Sequence, residues 1–212
     1  MKNLLYVIAL ASASFVAQAA PISDLHSTGD GFGAGVKDLN YTVTDTEGVT
    51  DNGYASDINS DYPTSGPWIP NEDSTASVWL TIAENPNAEF PIGSYLWRTT
   101  FDLTGFDVAS ASFAGRFAAD DSAMAFLNGF LIGTSDGYSE WSSFSSLPEY
   151  LVVGLNVLDF AVYNGGGPSG LRAEMTNSTE TATAAVPEPE TYALMLAGLG
   201  VLGFIARRNK SE

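Results

Sequence analysis

The chain has no cysteine, only one histidine and few cationic residues. The absence of cysteine excludes disulfides, thiolate metal sites and cysteine nucleophiles. His26 is the only imidazole, so a His-rich metal site is excluded and a Ser-His-Asp triad would have to use this residue. Eight Lys and Arg residues against 25 Asp and Glu residues give a net charge of −17. We therefore expect no nucleic-acid partner, because a polyanion would be repelled.

The length and composition favour one folded domain with appendages. The chain has 212 residues, of which 45% are hydrophobic, which is enough for a packed core but short for two independent domains. Of the eight cations, only Lys37, Arg98, Arg116 and Arg172 lie between residues 20 and 186. The central part of the chain is therefore strongly acidic, which is typical of a soluble protein surface.

The N-terminus has the pattern of a secretory signal peptide. Lys2 supplies a short charged region, residues 4–13 form an apolar run, and Ala17-Gln18-Ala19 supplies the small residues of an A-x-A cleavage site. We predict a signal peptide over residues 1–19, removed by signal peptidase after Ala19.

The C-terminus combines a proline motif, an apolar run and a basic end. Pro187-Glu188-Pro189 precedes the uncharged residues 191–206, and Arg207-Arg208 follows them. As a helix this run is about 24 Å long, shorter than the roughly 30 Å hydrocarbon core, although cations at its end can reach the headgroups. The sequence predicts a transmembrane helix at about 191–206 that holds the precursor in the inner membrane.

The same tail resembles the PEP-CTERM sorting signal of Gram-negative bacteria. The resemblance covers residues 186–210, in which the Pro-Glu-Pro triplet, the apolar run and the arginines come in the family's order. We therefore predict a sorting signal over residues 187–212. It implies recognition by an exosortase, cleavage near Pro187-Glu188-Pro189, transient membrane anchoring, and delivery to the cell surface or the exopolysaccharide matrix. A permanently membrane-anchored binding protein is the alternative.

Residues 20–175 have the pattern of an all-β domain. Short runs of β-branched and aromatic residues alternate with Gly, Pro, Asn, Asp and Ser. The predicted strands cover residues 39–46, 77–83, 95–103, 111–118, 123–127, 130–132, 156–163 and 171–175. Asn128-Gly129 predicts a type I′ hairpin turn. We expect a single jelly-roll-type β-sandwich, followed by a Thr/Ala-rich linker over residues 176–186.

Three segments of this domain resemble galactose-binding-like sandwiches. These are the strand end at 117–122, the turn at 126–129 and the Gly-Leu-Asn-Val-Leu run at 154–158. The resemblance implies the sandwich fold and leaves the activity open, because that fold hosts many functions.

A calcium loop and a loop-borne aromatic surface are the candidate binding sites. Asp57, Asn59 and Asp61 have the spacing of calcium ligands, although Tyr62 and Ile69 replace the Gly and Glu of an EF-hand. A structural Ca²⁺ could bind here, and no other cofactor is expected.

Three aromatic residues in predicted loops, Trp68, Tyr138 and Trp141, could stack on sugar rings. Trp79 and Trp97 lie in predicted strands and are expected in the core.

The sequence predicts no catalytic residue. Asp120 and Asp121 are the nearest to a carboxylate pair, but adjacent strand residues point to opposite faces. The expected protein is a non-enzymatic surface or exopolysaccharide-matrix component of the biofilm type, with a structural or carbohydrate-adhering sandwich. An exported polysaccharide-acting hydrolase is the alternative.

Overall fold

The computed structural model describes residues 19–56, 68–71, 75–181 and 189–208. The chain divides into two compact units, Gln18–Ala182 and a second unit made of Met1–Ala17 with Thr183–Glu212. The strands of the first unit are β1 (Ala19–Ala20), β2 (Lys37–Thr44), β3 (Thr50–Ala55), β4 (Leu80–Thr81), β5 (Gly93–Asp102), β6 (Ser112–Asp120), β7 (Ser122–Leu127), β8 (Phe130–Ser135), β9 (Ser142–Ser145), β10 (Leu155–Asn164) and β11 (Gly170–Thr181). Two 3₁₀ turns, Val108–Ser110 and Pro148–Tyr150, join strands. The second unit contains helix α1 (Pro189–Arg208).

The strands form one antiparallel sheet that nearly closes on itself. Their order is β8-β7-β10-β5-β2-β3-β4-β11-β6-β9, and β1 pairs with β11. The end strands β8 and β9 lie side by side, since a Cβ atom on Gly133 would be 3.0 Å from the carbonyl oxygen of Ser143. The all-β prediction is confirmed, but the sheet is continuous where a jelly-roll sandwich would have two separate sheets.

The main core lies between the two halves of this sheet. Along β10 the side chains of Leu158, Phe160 and Val162 point inward and are buried, as strand alternation requires. The ring of Phe160 lies 5.4 Å from that of Phe117 on β6 and 5.6 Å from that of Phe144 on β9. These aromatic contacts join strands that are far apart in the sheet order, so the two halves pack face to face as in a sandwich.

The hairpin predicted at Asn128-Gly129 is confirmed. Leu127 pairs with Phe130 across the turn, and Asn128 and Gly129 have φ angles of 50° and 86°. Both residues tolerate the positive φ that a two-residue turn between twisted strands requires.

The structure differs from the predicted strands at several places. The register of β2 and β3 shifts between Lys37 and Thr42. Asp38 is buried there, and Leu39, the first residue of the strand predicted at 39–46, is 72% exposed. The buried Asp38 carboxylate accepts hydrogen bonds from the backbone N–H groups of Gly29 and Asn40. The predicted strand at 77–83 shortens to β4, and β9 was not predicted, because serines surround its single apolar residue, Phe144.

The ends of the sheet differ from the predicted domain limits. Strand β11 continues to Thr181, within the stretch predicted as linker, with a bulge between Met175 and Asn177. Ala19 pairs with Thr181 and Ala20 pairs with Glu180. The two residues that flank the predicted cleavage site therefore lie beside the end of the strand that precedes the tail.

Helix α1 covers the predicted transmembrane segment, with Arg207 and Arg208 in its last turn, where cations interact favourably with the helix dipole. Among the residues that the structure describes, none belongs to a helix long and apolar enough to cross a membrane. The transmembrane prediction for 191–206 is therefore not supported. The uncharged run is short, and three glycines lower its hydropathy.

Replacing Phe160 by alanine tests the packing of the two halves. Phe160 is fully buried, so we expect Phe160→Ala to lower the free energy of unfolding by about 3–5 kcal/mol through lost contacts and a new cavity. Leu155→Ala on the same strand, where the side chain is 62% exposed, is the control and should change stability by less than about 0.5 kcal/mol. Urea denaturation followed by tryptophan fluorescence measures both, and equal losses would contradict this packing.

Candidate functional site

The outer face of strands β6 and β11 carries a second, smaller cluster that the main core does not include. Arg116 pairs with Glu174, and Ala118 pairs with Arg172. Because directly paired residues point to the same side of a sheet, these four side chains share one face. The main-core residues Phe117 and Ala173 alternate with them and point the other way.

Aromatic residues from distant parts of the chain cover this outer face. Trp68 and Trp79 are buried with Ile69 and Ala118, and Tyr138 and Trp141 pack against them half-buried. The ring centroids of Trp68 and Trp79 are 4.3 Å apart, and those of Trp68 and Tyr138 are 6.5 Å apart. We call Trp68, Ile69, Trp79, Ala118, Tyr138 and Trp141 the outer aromatic cluster.

A buried arginine supports the segment that carries Trp68 and Ile69. Arg172 donates to the backbone carbonyl of Pro70 at 2.8 Å, to that of Ser77 at 3.0 Å and to the Ser77 hydroxyl at 3.0 Å. Longer bonds of 3.4 Å reach the carbonyls of Ile69 and Asn71. The guanidinium has its five N–H donors in a rigid fork, so one side chain fixes a stretch of backbone that forms no strand.

An ion pair extends this network to Trp141. Glu174 accepts from Arg116 at 3.1 Å and from the Ser77 hydroxyl at 3.1 Å. The Trp141 ring centroid lies 4.2 Å from the guanidinium carbon of Arg116 and 4.9 Å from that of Arg172, within cation–π distance. Since both arginines rise from the same face of the sheet, they contact the indole from the sheet side.

The loop that follows β8 presents Trp141 beside a depression of about 200 Å³. The lining residues are Asp136, Gly137, Ser139, Glu140, Trp141 and Ser142. The loop is anchored to the cluster, because Ile69 donates its backbone N–H to the Tyr138 carbonyl at 2.8 Å. A half-exposed indole, two carboxylates and two hydroxyls at one concave surface can bind a small polar ligand with an apolar face.

Asp120 lies at the buried edge of the outer aromatic cluster. Its carboxylate accepts a hydrogen bond from the Trp68 indole N–H at 2.8 Å, and only 7% of the residue is exposed. The pKa of Asp120 is raised to about 7, mainly because the carboxyl is buried and secondly because it shares a hydrogen bond with the Asp121 carboxyl. Asp121 in turn accepts from the backbone N–H of Gly165. The prediction that adjacent strand residues keep these two carboxyls apart is wrong, because β6 ends at Asp120 and the alternation stops there.

The structure brings together the three aromatic residues that the sequence singled out. Tyr138 and Trp141 are both half-exposed, and Trp141 lines the depression whereas Tyr138 belongs to the same loop without lining it. Trp68 is 3% exposed and packs beneath them. Their role in binding stays a prediction. Trp79 and Trp97 are fully buried, as expected, although Trp79 belongs to the outer aromatic cluster.

Other candidate residues lie partly outside the described chain. The predicted calcium ligands Asp57, Asn59 and Asp61 and the sorting residues Ala17, Pro187 and Glu188 fall outside it. Ala19 begins β1 and Pro189 begins α1. Within the described ranges, no group of three or more His, Cys, Asp or Glu side chains is arranged to hold a metal ion.

The sequence reasoning missed Arg116, Arg172, Asp136 and Glu140. The two arginines carried a signal, because each is a rare cation inside a run of apolar strand residues. The two acids carried none, since acidic loop residues are common in this chain.

Residues 185–210 match the family model of the PEP-CTERM protein-sorting motif. This match confirms the sorting motif predicted at the C-terminus. Comparison with curated protein sequences gives no match.

The sheet is similar to several solved structures. A lectin from Pleurotus ostreatus in complex with GalNAc is 24% identical, with 48% of this chain and 30% of the lectin covered at a TM-score of 0.37. A family 35 carbohydrate binding module from an environmental isolate is 15% identical. The match covers 63% of this chain and 89% of the module, at a TM-score of 0.31. A beta-D-glucuronidase from Dictyoglomus thermophilum is 16% identical. The match covers 60% of this chain and 19% of the glucuronidase, at a TM-score of 0.33. The chain thus spans about a third of the lectin, and TM-scores this low leave its function to be argued from the site.

Replacing Asp120 by asparagine tests its shifted pKa. Below about pH 4 the carboxyl is protonated in both the folded and the unfolded chain. Between about pH 4 and 7 the folded chain keeps a proton that the unfolded chain has released, so stability falls as pH rises. We expect Asp120→Asn, which keeps an acceptor for Trp68, to escape this loss. Its advantage in free energy of unfolding over the unmodified protein should grow by up to about 4 kcal/mol across that interval.

Urea denaturation of both proteins at several pH values measures this difference. A constant offset between the two stability curves from pH 4 to 7 would show that Asp120 is ionised in the folded protein throughout.

Proposed function

We propose that the protein is an exported cell-surface or matrix protein that exosortase cleaves at its C-terminal tail, and that its β-sheet body adheres to carbohydrate without catalysis. The match of residues 185–210 to the PEP-CTERM protein-sorting motif supports the first part. The half-exposed Trp141 beside its depression supports the second.

The sorting part of the proposal draws on the motif and on the charge of the body. The motif indicates export and processing of a membrane-associated precursor. Signal peptidase would cut after Ala19 and exosortase near Pro187-Glu188-Pro189. The net charge of −17 favours a body that stays soluble and is repelled by anionic lipid, which suits release to the envelope surface or to exopolysaccharide.

The adhesion part draws on the chemistry of Trp141 and Tyr138. The C–H face of a sugar ring is apolar and flat, and an aromatic ring offers a matching surface of low conformational entropy. Trp141 is held from beneath by two guanidinium groups, so its ring is already positioned before a ligand arrives. Hydroxyl and carboxylate groups at the rim of the depression can accept the hydrogen bonds of sugar hydroxyls.

Asp120 supports the alternative, a polysaccharide-acting hydrolase. A carboxyl with a pKa of about 7 could act as a general acid. However, glycoside hydrolysis requires two carboxyls that flank the scissile bond. The Asp120 carboxyl is instead bonded to Trp68 and Asp121 beneath the aromatic cluster. Binding is therefore the function that the geometry favours.

Intact-mass measurement of the protein released by a host that contains exosortase tests the sorting proposal. We expect the mature chain to lack residues 1–19 and the tail beyond the cleavage point near 187–189. Replacing Pro187 and Pro189 by alanine should leave the tail attached, because the triplet is the part of the motif that the enzyme grips. A released protein that still carries residues 191–212 would contradict cleavage and favour permanent anchoring.

Alanine variants of the two aromatic residues test carbohydrate adhesion. Stacking contributes about 1 kcal/mol per ring, so Trp141→Ala and Tyr138→Ala should each weaken binding on a polysaccharide array about fivefold. The control is Phe130→Ala, where the ring is 50% exposed at the start of β8, the opposite end of that strand from the loop that forms the depression. If all three variants bind as the unmodified protein does, Tyr138 and Trp141 are not the binding surface.

A further inference from the structure

The depression beside Trp141 is acidic. Asp136 and Glu140 both line it, both are exposed, and the other lining residues are serine, glycine and tryptophan. None of the lining residues in this described loop is a lysine or an arginine. A ligand that enters the depression therefore meets two negative side chains beside a flat aromatic ring.

The nearby arginines bind groups other than these two acids. Arg116 lies on the sheet side of Trp141 and is paired with Glu174. Arg172 is fully buried and donates to backbone carbonyls and to Ser77. The charge of Arg172 is thus buried in the protein and that of Arg116 is paired with Glu174, while the charged side chains that line the depression are both negative.

We propose that the depression selects polysaccharides with protonated amino sugars, such as deacetylated glucosamine polymers; this inference rests on the proposed carbohydrate-binding function. The ammonium group of such a sugar pairs with Asp136 and Glu140 while the apolar face of its ring lies on Trp141. A cation held near an indole gains further attraction from the ring. Uronate polymers are disfavoured, because their carboxylates would face these two acids in a protein of net charge −17.

The size of the preference follows from the exposure of the acids. A solvent-exposed ion pair contributes about 0.2–1 kcal/mol, which converts to about 1.5- to fivefold in affinity per pair. Two pairs give an expected preference of about two- to 25-fold for a glucosamine oligomer over its N-acetylated counterpart. The preference should shrink as salt is added, because exposed charges are screened.

Titration of the full-length protein with three oligosaccharides of equal length tests the inference. The probes are chitosan oligomers, which carry ammonium groups in mildly acidic buffer, neutral chitin oligomers and anionic oligogalacturonate. We expect affinity to fall in that order. Asp136→Asn with Glu140→Gln should bring the ratio of chitosan affinity to chitin affinity close to one, because the amides keep acceptors for sugar hydroxyls but carry no charge.

The matched control is Glu47→Gln with Glu149→Gln. This double variant removes the same number of negative charges from exposed positions outside the depression, so it should keep the preference. Equal loss in both double variants would assign the preference to net charge and overturn the site. Chitin binding that needs Trp141 but exceeds chitosan binding would overturn the inference and leave the proposed function standing. Binding of no probe, or binding insensitive to Trp141→Ala, would overturn both.

Discussion

The buried guanidinium of Arg172 is the interaction on which the outer face of the sheet depends. Burying such a charge costs several kcal/mol unless its donors are all satisfied. Here the carbonyls of Pro70 and Ser77 and the Ser77 hydroxyl accept from it at 3.0 Å or less. These carbonyls belong to backbone outside the strand ladder, so the arginine supplies the partners that a buried loop otherwise lacks. The same hydrogen bonds therefore compensate the burial of the charge and order the loop.

The position of the candidate site follows from this arginine through a short chain of contacts. Arg172 holds the backbone at Pro70, which places the neighbouring Ile69 against Trp79 and Ala118. Ile69 donates its N–H to the Tyr138 carbonyl, and this bond fixes the loop that continues to Trp141. The Trp141 ring in turn makes cation–π contacts with Arg116 and Arg172. The site is thus built on the rigid strands β6 and β11, although its ligand-facing residues belong to a loop.

The parts of the fold that sequence reasoning could predict are those set by neighbouring residues. The alternation of β10, with Phe160 inward, and the turn at Asn128 follow from strand geometry and from tolerance of positive φ. The buried Asp38, the strand β9 around Phe144 and the burial of Trp68 could not be predicted in this way. Each depends on a partner far along the chain, and local pattern is silent about such partners. The sorting motif was predictable for the opposite reason, since the residues that define it are consecutive.

The few cations of the body explain both its interior and its surface. Lys37 pairs with Asp51 at 2.6 Å and Arg98 with Asp159 at 2.7 Å, while Arg116 and Arg172 serve the network beneath Trp141. All four positive charges are thus committed to specific intramolecular partners. The remaining acids, far more numerous, are left to define the electrostatic field that an approaching ligand meets. A protein of this charge repels acidic polymers and attracts cationic ones at long range, and the proposed preference for amino sugars adds to that general attraction a concave surface with a fixed aromatic ring.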